Sequence, residues 1–300
     1  MVEDNQIKAQ VSPFAIREGE IKTFDGKDGY VSMNQIVHKI NIGHITDIHF
    51  AILELVNQFE FITSRQLYQM LEIKGIDAKS QDKLNNKLEA LVKSKILTRY
   101  YFTSEEGKGI YRIYCLEKMG KYLLNSKEIE CKWQPSDNTK PVPMIKKRLA
   151  GNQTLIAYLR KVKAFDDFVV KPSLTAKTAG KVFKATGGSV KLTKNKKSIQ
   201  FLFEVIRREP DWKKKLVEKM RLYQDFYANF VPGDSGFSTM PQLIFVCEDE
   251  KHMAETFKEI ITNQVEIPQL KLYFTTDLRQ NEETLENTLV EFKLVDGKYK

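Results

Sequence analysis

The first half of the chain takes its fold from residues 62–99, which read ITSRQLYQMLEIKGIDAKSQDKLNNKLEALVKSKILTR. Thr63 and Gln66 have the spacing of a capping box, in which each side chain binds the backbone N–H of the other, so a helix is predicted to begin there. Gly75 is expected to end that helix, and a further helix is predicted from Ser80. Its apolar positions recur every three or four residues, at Leu84, Leu88, Leu91 and Val92.

The segments on either side of this stretch complete a domain. An apolar helical pattern begins at Ile45 and precedes residues 62–99. Two runs rich in aromatic and β-branched residues follow, LTRYYFT (97–103) and IYRIYCL (110–116), and the glycine-containing turn between them predicts a β-hairpin. Three helices followed by a hairpin is the order of a winged helix-turn-helix, which we predict for residues 41–125. In that fold the third helix enters the major groove of DNA.

The outward face of the third predicted helix carries long basic and amide side chains, which suit phosphates and base edges. Together with two positions on the hairpin, the predicted DNA contacts of this domain are Lys79, Lys83, Asn85, Asn86, Lys87, Lys108 and Arg112. A winged helix used for protein contacts or dimerisation is the alternative at this point.

Positive charge is concentrated in the middle of the chain. The 300 residues have a net charge of +9, but residues 145–223 carry 21 basic and 6 acidic residues, whereas residues 224–300 carry 7 and 14. The stretch 168–203 holds eight lysines and no acid. A solvated surface is the plainer interpretation, but this pattern favours a phosphate-facing surface. The predicted contacts there are Lys184, Lys191, Lys194, Lys196 and Lys197.

The rest of the chain divides into an arm, a linker and a second domain. Residues 1–40 have no clear periodicity and are predicted to form an irregular arm, and the polar, proline-containing residues 126–143 are predicted to form a linker. Residues 144–300 open with a basic helix and continue with alternating strand and helix patterns, which predict a basic α/β domain. The predicted strands and helices are 198–206, 212–230, 241–249, 250–263 and 270–276.

Several classes of protein are excluded by composition. The chain is 42% apolar, so global disorder is not expected. It opens with MVEDNQ and has no apolar run long enough for a membrane span, and its three cysteines are scattered, so a cytoplasmic protein without membrane contact is predicted. Neither the cysteines nor the four histidines have the spacing of a zinc site, and no phosphate-binding glycine motif is present.

Four stretches resemble the replication-relaxation proteins of Gram-positive plasmids and the relaxases related to restriction endonucleases. They are ITSRQLYQML (62–71), LNNKLEALVKSKILTR (84–99), FLFEVIRRE (201–209) and MPQLIFVCEDE (240–250), and the resemblance covers residues 45–265. It implies a winged helix-turn-helix followed by an α/β domain of restriction-endonuclease-like type. It also implies a role in the replication, transfer or regulation of a plasmid or other mobile element.

The resemblance implies one catalytic candidate. In a restriction-endonuclease-like core, an aspartate on one strand and a Glu-x-Lys motif on the next hold a divalent metal that activates water. Glu204 matches the glutamate, but Ser173 stands at the aspartate position and Ile206 at the lysine position. With two of the three groups missing, we predict a degenerate site that needs no cofactor.

Two other interpretations of Glu204 remain open. A nickase, relaxase or endonuclease would need Glu204 to share Mg²⁺ or Mn²⁺ with Asp166 or Asp167. The plainer interpretation is a buried carboxylate paired with Arg207 or Arg208.

We therefore predict a DNA-binding protein, with the winged helix selecting the site and the lysine-rich domain holding phosphates. Double-stranded DNA is the predicted partner, and a second copy of the chain and replication or transfer proteins are further candidates. The alternatives are the metal-dependent enzyme and a protein-interaction adaptor. In the adaptor, the acidic last third would bind a basic partner or the basic middle of its own chain.

Overall fold

The computed structural model describes residues 12–104, 107–108, 111–162, 165–194, 197–281, 284–292, 294–295 and 298–299. The chain divides into two compact units. The amino-terminal unit comprises residues 16–163, and the carboxy-terminal unit comprises residues 1–15 and 164–300. No helix in the described ranges is both long enough and apolar enough to cross a membrane.

The amino-terminal unit is built from helices and a small antiparallel sheet. In chain order its elements are β1 (Ile21–Phe24), α1 (Met33–Asn41), α2 (Asp47–Phe59), β2 (Ile62–Thr63), α3 (Ser64–Ile73), α4 (Gln81–Lys93), β3 (Leu97–Ser104), β4 (Gly107–Lys108), β5 (Ile113–Leu116), α5 (Lys118–Ser126) and α6 (Val142–Lys161).

The predicted start of α3 is confirmed. The backbone N–H of Gln66 donates to the Thr63 hydroxyl over 3.2 Å, and the N–H of Thr63 donates to the Gln66 side-chain oxygen over 3.1 Å. Gly75 follows the helix with a φ of +70°, a backbone angle that glycine adopts without strain. Helix α4 begins after Ser80, whose side chain accepts from the N–H of Lys83.

The predicted hairpin is confirmed as the antiparallel pair β3 and β5. Strand β2 lies on the other side of β5, so the strand order is β1-β3-β5-β2. The leucines of α4 are buried on the side opposite its charged residues. The sheet and the apolar faces of the helices therefore share a core, and the polar face of α4 is left outward.

The prediction that residues 1–40 form an irregular arm is wrong for residues 12–40, the part that the structure describes. Strand β1 pairs with β3 in register, with Ile21 opposite Thr103. Helix α1 begins at a capping box formed by Ser32 and Gln35. A four-residue strand has too short a pattern to identify from sequence. Here it is formed by backbone hydrogen bonds to a strand about 80 residues away.

The predicted linker, residues 126–143, and the predicted boundary at 144 also differ from the structure. Both α6 and the segment before it belong to the amino-terminal unit. Buried Asn138 donates to the carbonyl of Leu116 over 2.8 Å, and buried Asn152 of α6 donates to the carbonyl of Phe61 over 2.7 Å. Polar side chains, whose abundance suggests a linker, here donate hydrogen bonds to backbone groups of the folded unit.

The carboxy-terminal unit is a mixed α/β fold, as predicted. Its elements are β6 (Asp167–Val169), β7 (Ser173–Ala176), β8 (Lys181–Lys184), β9 (Ser189–Lys194), β10 (Lys197–Val205), α7 (Trp212–Ala228), β11 (Gln242–Cys247), α8 (Glu250–Thr262), β12 (Tyr273–Thr276), α9 (Leu285–Thr288), β13 (Val290–Glu291), β14 (Leu294–Val295) and β15 (Lys298–Tyr299).

The main sheet of this unit has the order β13-β12-β11-β10-β9-β6. Strands β10, β11 and β12 are parallel, and the outer strands run antiparallel to their neighbours. Because the two parallel connections run through α7 and α8, apolar residues of these helices and of β10, β11 and β12 form one buried core. Strands β7 and β8 form a separate hairpin.

Candidate functional site

The outward face of α4 is exposed as predicted. Lys83, Asn85 and Asn86 are all exposed, and Asn85 accepts a hydrogen bond from Gln81 over 3.2 Å. Lys83 makes no ion pair within the described part of the chain. The opposite side of the helix is fixed by buried leucines. This face is therefore a rigidly held surface with cationic and amide groups directed to solvent.

Two further predicted contacts lie at the edges of this face. Lys79 is exposed and pairs with Asp77, and the Nζ to Oδ2 distance is 2.6 Å. Lys87 is half-buried on α4 near buried His49. Burial lowers the pKa of His49, and the positive charge of Lys87 lowers it further. His49 is therefore held neutral beside the helix.

Of the two contacts predicted on the hairpin, the structure describes the side chain of Arg112. Arg112 Nε lies 2.6 Å from Asp25 Oδ2, and its guanidinium lies 4.8 Å from the ring centre of Tyr101. Asp25 also pairs with Arg99 over 3.0 Å. Arg112 is thus already bound by a carboxylate of its own unit. The side chain of Lys108 lies outside the described residues.

The lysine-rich stretch is partly exposed. Lys181 and Lys184 lie exposed on β8, and Lys191 is half-buried on β9. The predicted contacts Lys194, Lys196 and Lys197 have side chains outside the described residues. Lys181 and Lys184 therefore lie on the β7–β8 hairpin and not on the main sheet.

Part of the basic charge in this unit is paired with acids of the last third of the chain. Four cations contribute to these pairs, and the shortest distances range from 2.5 to 2.7 Å. The pairs are Lys177 with Asp234, Arg207 with Asp277, Arg208 with Asp249, and Lys213 with Glu259. Acids of the last third thus bind four of the 21 basic residues of the middle block.

Glu204 is buried on β10 and accepts from donors on two elements. Its Oε1 accepts from the Thr186 hydroxyl over 2.9 Å and from Lys219 Nζ over 2.6 Å. Its Oε2 accepts from the Tyr223 hydroxyl over 2.8 Å and from the Thr186 N–H over 3.3 Å. Burial, together with the negative charge of Glu204, raises the pKa of Tyr223 well above its usual value. Tyr223 therefore stays protonated and donates.

These contacts correct the predicted partners of Glu204. Neither Arg207 nor Arg208 pairs with it, because both bind carboxylates at the ends of neighbouring strands. Lys219 and Tyr223 reach it instead from α7. They stand four residues apart and therefore share one face of the helix.

The residues around Glu204 do not fit a divalent metal. The four donors already occupy the oxygen lone pairs that a cation would need. Ser173, at the position of the expected aspartate, lies on β7, outside the main sheet. The backbone N–H that donates to Glu204 is that of Thr186. Ile206 is buried and apolar. Within the described ranges no cluster of three or more acidic, histidine or cysteine side chains could hold a metal.

The acids considered as partners of Glu204 are also distant. Asp167 on β6 lies opposite Lys191 of β9, which lies opposite Gln200 of β10. Glu204 is four residues further along β10 and two strands away, so the separation from Asp167 is about 16 Å at ordinary strand spacing. Asp166 precedes Asp167 and bonds to the backbone of Lys191. Neither acid can share a cation with Glu204 in this arrangement.

The carboxyl ends of β10, β11 and β12 form a second polar cluster. Arg207 is fully buried and donates to Asp277 over 2.7 Å, and Ser12 donates to the same carboxylate. Burial raises the pKa of Asp277, although Arg207 opposes that shift. Burial likewise raises the pKa of Glu248, which accepts from the backbone N–H of Arg208 over 3.0 Å. Each buried carboxylate here has a cationic or backbone donor.

His252 is the remaining titratable group of this cluster. Its Nδ1 accepts from the N–H of Glu248 over 3.2 Å, and its ring lies edge-on to Trp212. Burial, with the positive charges of Arg208 and Arg207, lowers the pKa of His252 to about 3. The imidazole is therefore neutral near pH 7. Burial also raises the pKa of the neighbouring Cys247 thiol to about 12, so that thiol is unreactive.

Sequence reasoning identified Glu204 but not Thr186, Lys219 or the role of Tyr223. One signal was available, since Lys219 and Tyr223 share a face of a helix whose apolar residues pack on β10. The sequence does not indicate that Thr186 contacts Glu204, because this contact depends on the conformation of the turn before β9.

Comparisons with known proteins give little further information. No protein-family model matches the chain, and no curated protein matches it. Among solved structures, restriction endonuclease FokI is similar with a TM-score of 0.26 and 11% sequence identity, over 76% of this chain and 41% of the FokI chain. The chain thus spans less than half the length of that protein.

Proposed function

We propose that this protein binds double-stranded DNA through a winged helix-turn-helix in its amino-terminal unit and does not cleave it. The observation that carries this proposal is the exposed face of α4. Helices α2, α3 and α4 and the hairpin β3–β5 have the element order of a winged helix, and α4 is the recognition helix of that arrangement.

The chemistry of α4 matches base-edge recognition. Lysine donates to guanine acceptors, and asparagine can pair with adenine through both its donor and its acceptor. Lys83 and Asn86 lie three residues apart and therefore share a face. They stand in the first two turns of α4, and the N-terminal part of a recognition helix is the part that meets bases. We assign these two residues to sequence selection.

The exposed lysines of β8 are assigned to phosphate binding. Lys181 and Lys184 supply charge without base specificity, so they would support binding to any sequence. Lys191 and the lysines at 194, 196 and 197 extend this role along the same stretch.

The contacts of Glu204 support the absence of cleavage. Its carboxylate is neutralised by Lys219 and held by two hydroxyl donors, which leaves it without the open coordination that a nuclease metal requires. By its resemblance to plasmid replication-relaxation proteins, the chain would act in the cytoplasm on the DNA of a plasmid or other mobile element. Replication or transfer proteins and a second copy of the chain are its further proposed partners.

Selection from a random duplex library followed by fluorescence anisotropy tests this proposal. We expect the purified chain to enrich a defined site. The Lys83→Ala, Asn86→Ala double variant should bind that site at least about 30-fold more weakly, since two good base contacts at roughly 1–3 kcal/mol each sum to at least about 2 kcal/mol. Lys132→Ala removes an exposed lysine of the same unit that follows α5 in the chain and is not among the predicted contacts, and this variant should bind normally.

Incubating the bound duplex with Mg²⁺ or Mn²⁺ tests the second half of the proposal. We expect the DNA to remain intact on a denaturing gel. Nicking that disappears in the Glu204→Gln variant would establish the nuclease alternative. A chain that enriches no site and binds no duplex would contradict DNA binding itself and favour the adaptor.

A further inference from the structure

A pocket lies beside α1 in the amino-terminal unit, formed by α1 and the loop that precedes it. It has a volume of about 560 Å³, within the range of small-molecule and cofactor sites. The side chains that line it and matter here are those of Lys27, Tyr30, Val31, Asn34, His38 and Lys39.

The walls of the pocket are fixed by hydrogen bonds to the end of α4. Lys95 Nζ donates to the carbonyl of Gly29 over 2.7 Å, which holds the loop. Lys39 Nζ donates to the Ser94 hydroxyl over 2.7 Å, which holds α1. The first turn of α1 is closed by the Ser32 cap, and Ile36 is fully buried beneath it. The backbone of the loop and of α1 is therefore held in place around the pocket.

Four side chains at the pocket are free to meet a ligand. Lys27, Tyr30, Asn34 and His38 are exposed, and none of them has a side-chain hydrogen bond, ion pair or ring contact among the described residues. Tyr30 as a whole residue is 83% exposed. No acidic side chain lines the pocket. The lining thus combines an aromatic face, an amide and basic groups.

We propose that this pocket binds an unpaired nucleotide. The base would stack on Tyr30, its edge would bond to the Asn34 amide, and its phosphate would lie between Lys27 and His38. Bases in a duplex hide their faces in the stack, so the ligand is a single-stranded or free nucleotide. The inference rests on the proposed function only in taking DNA as the source, and it concerns a surface distinct from the outward face of α4.

The experiment uses the whole chain and a fluorescein-labelled oligothymidylate of about 12 nucleotides, within the usual range of single-strand site sizes. We expect salt-dependent binding by anisotropy. Tyr30→Ala should weaken it roughly 5- to 150-fold, the range measured for one base–aromatic stack, and Tyr30→Trp should retain it. Lys27→Ala with Asn34→Ala should weaken binding independently of the ring.

Tyr122→Ala provides the matched control. Tyr122 is another exposed tyrosine of the same unit with a lysine beside it, since Lys118 Nζ lies 5.6 Å from its ring centre. Its removal should leave oligothymidylate binding unchanged. Equal losses in Tyr30→Ala and Tyr122→Ala would overturn the proposal, because they would show no preference for the pocket.

A competition arm separates the two sources of the nucleotide. Displacement of the oligomer by millimolar thymidine monophosphate would support the pocket with free nucleotide as ligand, and displacement by unlabelled strand alone would support it with a DNA strand. Wild-type affinity in Tyr30→Ala would overturn the inference while duplex binding through α4 stands. Loss of duplex binding with strand binding still sensitive to Tyr30 would overturn only the proposed function.

Discussion

The basic residues of α4 and those of the carboxy-terminal unit differ in what they contact. Residues 62–125 hold 12 basic and 7 acidic residues, a modest excess, yet Lys83 of α4 is exposed and makes no ion pair within the described residues. Residues 145–223 hold 21 basic and 6 acidic residues. Several of these cations are bound by carboxylates of the same unit, Arg207 even without solvent contact.

The difference shows that charge counted along a chain is not the charge offered to a partner. An exposed lysine without a counter-ion attracts phosphate and releases counterions on binding. A guanidinium that is buried against a carboxylate is not available to phosphate. The pair matters for stability instead, because either charge alone would be buried without a partner. Mutation of an exposed lysine without a counter-ion should therefore change DNA affinity, whereas mutation of a buried ion pair should change stability.

The largest expected effect comes from breaking the buried pair. Asp277→Ala leaves Arg207 fully buried without its carboxylate, and removing one partner of such a pair costs about 3–5 kcal/mol of unfolding free energy. Urea unfolding monitored by circular dichroism measures the loss. Glu259→Ala breaks the exposed pair with Lys213 in the same unit and should cost under about 1 kcal/mol. Equal losses in the two variants would contradict the distinction.

A second, smaller effect depends on pH and on His252. Its pKa in the folded chain is about 3, against 6.5 when exposed, so between these values the unfolded chain binds a proton that the folded chain does not. The free energy of unfolding is therefore unaffected by this histidine above pH 6.5, and it decreases as the pH falls below that value. At 1.36 kcal/mol per pH unit the loss is about 3 kcal/mol from pH 7 to pH 4.

His252→Gln tests this effect, because an amide can still accept the Glu248 N–H and does not titrate in this range. The raised pKa values of Glu248 and Asp277 stabilise the folded chain on acidification, which opposes the effect of His252. The wild type and the His252→Gln variant are therefore compared with each other at each pH. Urea midpoints should change less with pH in the variant. The exposed His44→Gln variant should behave like the wild type. Full acid sensitivity in His252→Gln would assign the effect to other groups.

Much of the carboxy-terminal fold could be predicted from sequence because its signals are local. The helix predicted over residues 212–230 is Trp212–Ala228, and the strand predicted over 241–249 is Gln242–Cys247. The partners of Glu204 could not be predicted in the same way. Thr186 and Lys219 are separated from it by 18 and 15 residues, and only the packing of α7 on β10 brings them together.

The errors in the amino-terminal unit have a related cause. Strand β1 and helix α6 depend on contacts with β3 and α3, which lie far from them in sequence. A polar segment such as 126–143 has the composition of a linker whether or not its side chains bind backbone groups. Composition therefore indicates where a chain is polar, and tertiary contacts decide where a domain ends.

The smallest expected effect sharpens the comparison within one unit. Lys181→Ala with Lys184→Ala removes two exposed cations of β8 and should weaken binding to any duplex by about three- to tenfold. The slope of log affinity against log salt should become shallower by about 1.8, from 0.9 for each phosphate contact. The matched control is Lys213→Ala with Lys215→Ala, two comparably exposed lysines that are paired with Glu259 and Glu209. An equal change of slope in both double variants would mean that pairing does not decide which lysines meet DNA, and the surface would then be described by charge alone.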